Sequence, residues 1–145
     1  MKCLSIRQPW ASAIIYGGKD IENRTWTTKY RGLLLIHASA TFTLDDLQDY
    51  EDFVKERFGP KHQSPFSVST LSDHSGGIIG LVTLTDIVTE HKSRWFVGPY
   101  GWVLSDPQPR LFVPYRGQLG LFDVDLTNYS KAEIAHMKVG RKAKQ

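Results

Sequence analysis

Cysteine is almost absent from this chain: Cys3 is the only one in 145 residues. A lone thiol excludes an intramolecular disulfide framework, and no second cysteine exists for a thiolate zinc centre. The five histidines, His37, His62, His74, His91 and His136, are dispersed without metal-ligand spacing. A metal site is therefore set aside, and no cofactor is expected. Long hydrophobic runs are missing too. The first residues offer a short apolar stretch broken by Arg7, Gln8 and Pro9, and no later run approaches the roughly 20 apolar residues of a membrane span. These absences point to a soluble, unexported protein of the reducing cytoplasm, with no membrane partner. Internal repeats and low-complexity segments are lacking as well.

What is present suits one domain. A chain of this length buries a sizeable core without staples. The net charge of +3 and pI near 9.0 are mildly basic, which permits a polyanionic partner without demonstrating one. Acidic residues concentrate in Asp45, Asp46, Asp49, Glu51, Asp52 and Glu56, leaving the N-terminal segment and the tail comparatively basic. Residues 1–128 are expected to form the domain and 129–145 a basic C-terminal helix or tail, helical over Ser130–Lys142 and carrying Lys138, Arg141, Lys142 and Lys144.

Local signals place the elements. Pro9 suits the first turn of a helix, Trp10, Ala11, Ile14 and Ile15 follow helical spacing, and Gly17-Gly18 supplies a stop, so a short helix ends near Tyr16 with Lys19 just beyond it. Strands are predicted over Asp20–Trp26 and Tyr30–Ala38, paired through a connection at Thr27-Thr28-Lys29. The run Leu33-Leu34-Leu35-Ile36 reads as buried on both faces. Thr43 with Asp45 and Asp46 starts a second helix that Gly59-Pro60 ends near Phe58. Lys61 to Ser75, rich in Pro, Ser, His and Gly, reads as an exposed connection. Strands resume over Gly77–Val88, whose alternation puts Ile79, Leu81, Thr83 and Ile87 on one face, and Ile78, Val82, Leu84 and Asp86 on the other. Three more follow over Tyr100–Leu104, Gln108–Val113 and Leu119–Val124. Many short strands with two or three helices give an α+β domain built on a small, partly open β-barrel with flanking helices.

Chemistry concentrates between Gln8 and Trp26. On an extended strand Glu22, Arg24 and Trp26 share a face, with Lys19 at the preceding turn. A lysine at a helix C-terminus is favoured as a cation by the helix dipole, which points to anion binding over Schiff-base chemistry. Two readings of the row stand. Glu22 pairs with Arg24 or Lys19 on a wet surface, for at most ~1 kcal/mol. Alternatively the row holds a base: the guanidinium takes a phosphate or carbonyl, the carboxylate an exocyclic amine, and an indole stacks. Trp10 is either that stacking partner or a core aromatic, and Asp86 either faces the same cleft as Lys19 or is a solvated carboxylate. His37 and Ser39 read as structural, since no oriented carboxylate or oxyanion hole accompanies them. The segment Gly98-Pro99-Tyr100-Gly101-Trp102 offers two aromatics as a stacking lip, against a core role for both.

The run Leu4-Ser5-Ile6, Gln8-Pro9-Trp10-Ala11-Ser12, Gly18-Lys19, Glu22, Arg24, Trp26 and Tyr30-Arg31-Gly32 resembles the ASCH domain family, whose signature G-x-K-x-x-E-x-R appears as Gly17 to Arg24. The likeness continues in Gly77-Ile78-Ile79-Gly80 and, more weakly, in Pro114-Tyr115-Arg116-Gly117. It implies a PUA-like β-barrel with a cleft lined by the signature, and RNA, single-stranded nucleic acid or nucleotide as partner. Trp10, Lys19, Glu22, Arg24, Trp26 and Asp86 are the candidate ligand-binding residues. One bacterial branch hydrolyses acetylated cytidine with the signature Lys, a Thr three residues on and a later Glu. Here Lys19 matches, Glu22 occupies the Thr position and Asp86 is only a loose match for the later acid, which weakens the transfer of that chemistry, so no catalytic assignment is carried over from it. A hydrolase acting on a modified nucleobase, nucleoside or RNA, with Lys19 and Glu22 as catalytic candidates, is the alternative expectation, and a protein-interaction module in transcription coactivation the third.

Overall fold

The computed structural model describes residues 1–125, so the expectations for the tail at 129–145 lie outside the described residues. The elements in chain order are β1 (Lys2–Ile6), α1 (Trp10–Tyr16), β2 (Ile21–Arg24), β3 (Gly32–Ala38), α2 (Leu44–Phe58), α3 (Val68–Asp73), β4 (Gly77–Val88), β5 (Tyr100–Pro114) and β6 (Leu121–Asp123). The strands form one six-stranded sheet in the order β2-β5-β4-β3-β1-β6, curled into a half-barrel. β1 lies parallel to β3, and every other pairing is antiparallel.

Helix α1 forms where the spacing predicts it. Its buried stripe is Ala11, Ser12, Ala13, Ile14 and Ile15, and Gly17 caps it by donating to the Ala13 carbonyl. Pro9 offers no side-chain cap, and Gln8 supplies one: its Oε1 accepts from Ser12 N at 2.9 Å while its Nε2 donates to the His74 carbonyl at 3.1 Å. Ile14 and Ile15 fill the half-barrel against Leu34, Ile36, Ile79, Val82, Leu84 and Trp102. The helix sits close to β4 because Gly80 has no side chain: a Cβ there would stand 2.5 Å from the Gln108 carbonyl oxygen and 2.9 Å from Ile15 Cδ1. Helix α2 opens with a reciprocal capping box, Thr43 Oγ1 accepting from Asp46 N and Asp46 Oδ2 from Thr43 N. Its Tyr50 and Val54 pack with Ala13, Ile21 and Trp95, tying it to α1 and β2.

Several expectations are corrected. The segment at the N-terminus is a strand, too short to stand out before Pro9. β2 and β3 do not pair: β2 pairs with β5, and β3 lies between β1 and β4. The stretch Lys61–Ser75 contains α3, because Ser67 caps it through Thr70 N and Leu71 is buried. Strands expected over Tyr100–Leu104 and Gln108–Val113 are one strand, continued past Pro107 and Pro109 by register shifts against β4 and a left-handed Asp106 at φ 52°. Those shifts and one against β3 break the alternation of β4. Ile79, Val82, Leu84 and Ile87 consequently face the half-barrel interior, while Ile78 and Leu81 join Cys3, Leu35 and Phe122 on the opposite face.

Candidate functional site

The signature residues converge. Lys19 follows the glycine turn, with Gly18 at φ 76°, and its N–H is bound to the Ala13 carbonyl at the end of α1. Its side chain then runs inward, only 2 % exposed. Nζ donates to the Ile21 carbonyl and to Glu22 Oε1, the latter at 2.9 Å. Glu22 Oε2 lies 3.1 Å from Arg24 Nε, an ion pair without an aligned hydrogen bond, since Nε has no hydrogen-bond partner. Arg24 Nη2 donates to the Ser5 carbonyl at 3.0 Å. The guanidinium thereby ties β2 at one sheet edge to β1, two strands far apart in sheet order but brought together by the curl.

This geometry alters the roles read from the sequence. Lys19 is held by Glu22 and a backbone carbonyl rather than by the dipole of the seven-residue α1, and two of its three donors are spent. Glu22 has a cation on each oxygen, which suits an organising carboxylate more than a proton shuttle. Two cations and one carboxylate leave one net positive charge, and Arg24, with its side chain 23 % exposed, is the member that presents it.

These three line a cleft of about 550 Å³ together with Ser5, Arg7, Trp10, Asn23, Ser39, Phe53 and Val97. Trp10 is half-buried: it lines the cleft and also packs on the aromatic residues of α2. Its ring meets Tyr50 and Phe53 edge-on at 4.9 and 5.2 Å between centroids, and the Lys19 ammonium lies 5.8 Å from its own centroid. Trp26 stands beyond the end of β2 and outside the residues lining this cleft. It packs edge-on against fully buried Trp102 at 4.8 Å, and its carbonyl accepts from Trp102 Nε1. The shared face read for Glu22, Arg24 and Trp26 thus ends with the strand at Arg24. Trp102 and Tyr100 pack on the core instead of forming a lip. Asp86 lies outside the lining as well: it is exposed and 3.7 Å from Arg31 Nη2.

Other lining residues carried no clear signal in the sequence. Asn23 sits between the charged residues of the signature and fixes the far wall. Its Oδ1 accepts from Val97 N at 2.8 Å and Gly98 N at 3.0 Å, and its Nδ2 donates to the Trp95 carbonyl. Arg7 reaches Asp46 at 3.1 Å, linking the rim to the start of α2. Ser5 Oγ lies 2.8 Å from His37 Nδ1 and 3.3 Å from Ser39 Oγ. His37 Nε2 is 2.7 Å from the Tyr115 carbonyl, which can only accept, so Nε2 carries the proton and Nδ1 accepts from Ser5. Burial holds the His37 pKa below its ordinary value, partly offset by the bond to the Tyr115 carbonyl. Lys19, Glu22 and Arg24 thus line the cleft together with two serines, Trp10, Phe53 and Val97.

Over residues 4–136 the chain matches the model of the ASCH domain. It belongs to the ASCH domain family. Human activating signal cointegrator 1 is 26 % identical over 147 residues, covering 94 % of this chain but 24 % of the cointegrator. The mouse protein of the same name is 51 % identical over a 37-residue stretch, 26 % of this chain and 6 % of its own. This ASCH domain therefore spans about a quarter of the human relative's length. Among solved structures, a variant of the protein ZmASCH from Zymomonas mobilis superposes with a TM-score of 0.52 at 14 % identity, covering 95 % of this chain and 96 % of that one. The α+β, PUA-like half-barrel is thus the fold of the family. Among the described residues, no helix is long and apolar enough to cross a membrane.

Proposed function

We propose that this ASCH domain binds nucleic acid, taking an unpaired nucleotide of RNA or another single strand into the cleft between α1, β2 and β1. The observation that carries this reading is the placement of Arg24: a partly exposed guanidinium held by Glu22 and the Ser5 carbonyl at the wall of a ligand-sized cleft, with Trp10 beside it. A fixed guanidinium suits phosphate or base carbonyl oxygens, and a partly exposed indole suits the face of a base. Lys19 and Glu22 serve by holding Arg24 in place. Family membership supports a nucleic-acid ligand.

Binding of a short fluorescent single-stranded RNA, followed by anisotropy across a salt series, tests the proposal. Arg24→Gln is expected to weaken binding and reduce the salt slope by about 0.7, the share of one phosphate on a single strand. Circular dichroism and the unfolding midpoint confirm that the variant is folded. Equal affinity and equal slope in the folded variant would remove the cleft from the binding surface.

A further inference from the structure

A second hollow, of about 380 Å³, adjoins the cleft and shares Ser5, Arg24 and Ser39 with it. Its far wall is the turn from Gly117 to Gly120 that precedes β6. We propose that the two hollows hold consecutive nucleotides of one strand, with their linking phosphodiester at Arg24 and Ser39. This rests on the reading of the cleft as a nucleotide site, and it names the ligand as a polymer rather than a free mononucleotide.

The junction is where donors to an anion gather. Among the described residues, Arg24 donates within the protein only through Nη2. Its Nη1 is left for a ligand, and it presents the net positive charge of the trio. The Ser5 hydroxyl is committed to His37 Nδ1, so it adds no proton to the site. Ser39 differs. Among the described residues its hydroxyl has only the 3.3 Å contact to Ser5 Oγ, and turning outward exchanges that long bond for one to a charged oxygen, which is the stronger. One guanidinium and one hydroxyl thus stand where two ligand-sized hollows meet, the order in which a strand places a backbone anion between two bulky groups.

The second hollow is built with a firm base and an open rim. His37 Nε2 holds the Tyr115 carbonyl at 2.7 Å, fixing the chain just before the turn. Gly117 then passes so close that a Cβ would lie 2.8 Å from His37 Cε1 and 2.9 Å from Ser5 Oγ. His37 is accordingly a positioning residue for this wall. At the tip Leu119 is 100 % exposed, and Gly120 takes φ 71° to bring the chain back into β6. A fully exposed leucine on the rim of a polar hollow gives an apolar surface on which the second base or sugar rests.

Titration calorimetry with each of the four ribonucleoside 5′-monophosphates and the matching 5′-phosphorylated homodinucleotides tests this. The wild-type domain is expected to bind the best dinucleotide about tenfold or more tightly than its mononucleotide, because the second unit binds at high effective concentration. Leu119→Glu, at a site with no packing to lose, is expected to abolish that gain through repulsion and loss of the apolar rim, with a smaller effect on the mononucleotide, which does not reach the rim. Mononucleotide binding with no dinucleotide gain, or a gain that survives Leu119→Glu, overturns the two-unit site and leaves the cleft reading intact. Binding of neither probe overturns both.

Discussion

Removing the Glu22 carboxylate should unfold much of what the signature segment holds together. Lys19 and Glu22 meet at 2.9 Å with side chains only 2 % and 11 % exposed, and Arg24 approaches the other carboxylate oxygen at 3.1 Å. In Glu22→Ala the Lys19 ammonium keeps its bond to the Ile21 carbonyl but loses its counter-ion, and two cations are left facing each other across a buried gap. Breaking a buried pair in this way costs about 3–5 kcal/mol, against at most about 1 kcal/mol for an exposed one. At roughly 3 °C per kcal/mol for a chain of this size, the melting temperature should fall by about 10 °C. The double variant Lys19→Met/Glu22→Leu removes both charges, and should recover most of the loss, since apolar replacements of buried pairs are often near neutral. Urea unfolding of the wild type, Lys19→Met, Glu22→Leu and the double variant gives the coupling energy, provided the m-values agree. The coupling should persist in high salt, because a buried pair is weakly screened. A loss below about 1 kcal/mol for Glu22→Ala would show that the pair behaves as a surface bridge and refute the reasoning.

Two further outcomes follow from named contacts. Asn23→Ala removes three hydrogen bonds to the Trp95–Gly98 segment, two of them from the backbone N–H groups of Val97 and Gly98. A loss of about 1–3 kcal/mol is expected, with faster hydrogen exchange at Val97 and Gly98, and unchanged exchange there would contradict the role given to Asn23. The native pKa of His37 is depressed by burial from 6.5, so the unfolded chain binds its proton more readily. Its contribution to stability is fully present above pH 6.5 and declines as the pH falls below that value toward the native pKa. His37→Gln should flatten this part of the stability curve, measured as urea midpoints between about pH 5 and 7, and an equally steep decline in the variant would assign it to other groups.

Strong local signals carried much of the fold. The apolar run of β3, the capping box of α2 and the helical spacing of α1 before two glycines depend on residues a few positions apart, and each formed close to where it was expected. Pairing partners were not legible, because the choice of β5 rather than β3 for β2 depends on how the whole sheet curls. The bulges of β4 escaped for a related reason. A register shift is decided by the partner strand, and Ile79 and Leu81 look alike in a simple alternation although they face opposite sides.

The site divides along the same line. That Lys19, Glu22 and Arg24 form a unit was readable, since a turn and a four-residue strand place them within reach of one another by local geometry alone. Their roles came from long-range contacts: the Ser5 carbonyl that holds Arg24, the burial of Lys19 under α1, and the loop that Asn23 draws in from more than seventy residues away. Trp26 and Asp86 were neighbours by period and by strand end, yet the strand stops at Arg24 and β4 carries Asp86 out to Arg31. The sequence by itself determined the family, the short helix and the charged trio, because propensity, glycine turns and strand parity act over a few residues. Only the tertiary structure decided which charge is buried and which is offered to a ligand, because burial depends on what the distant chain brings to cover it.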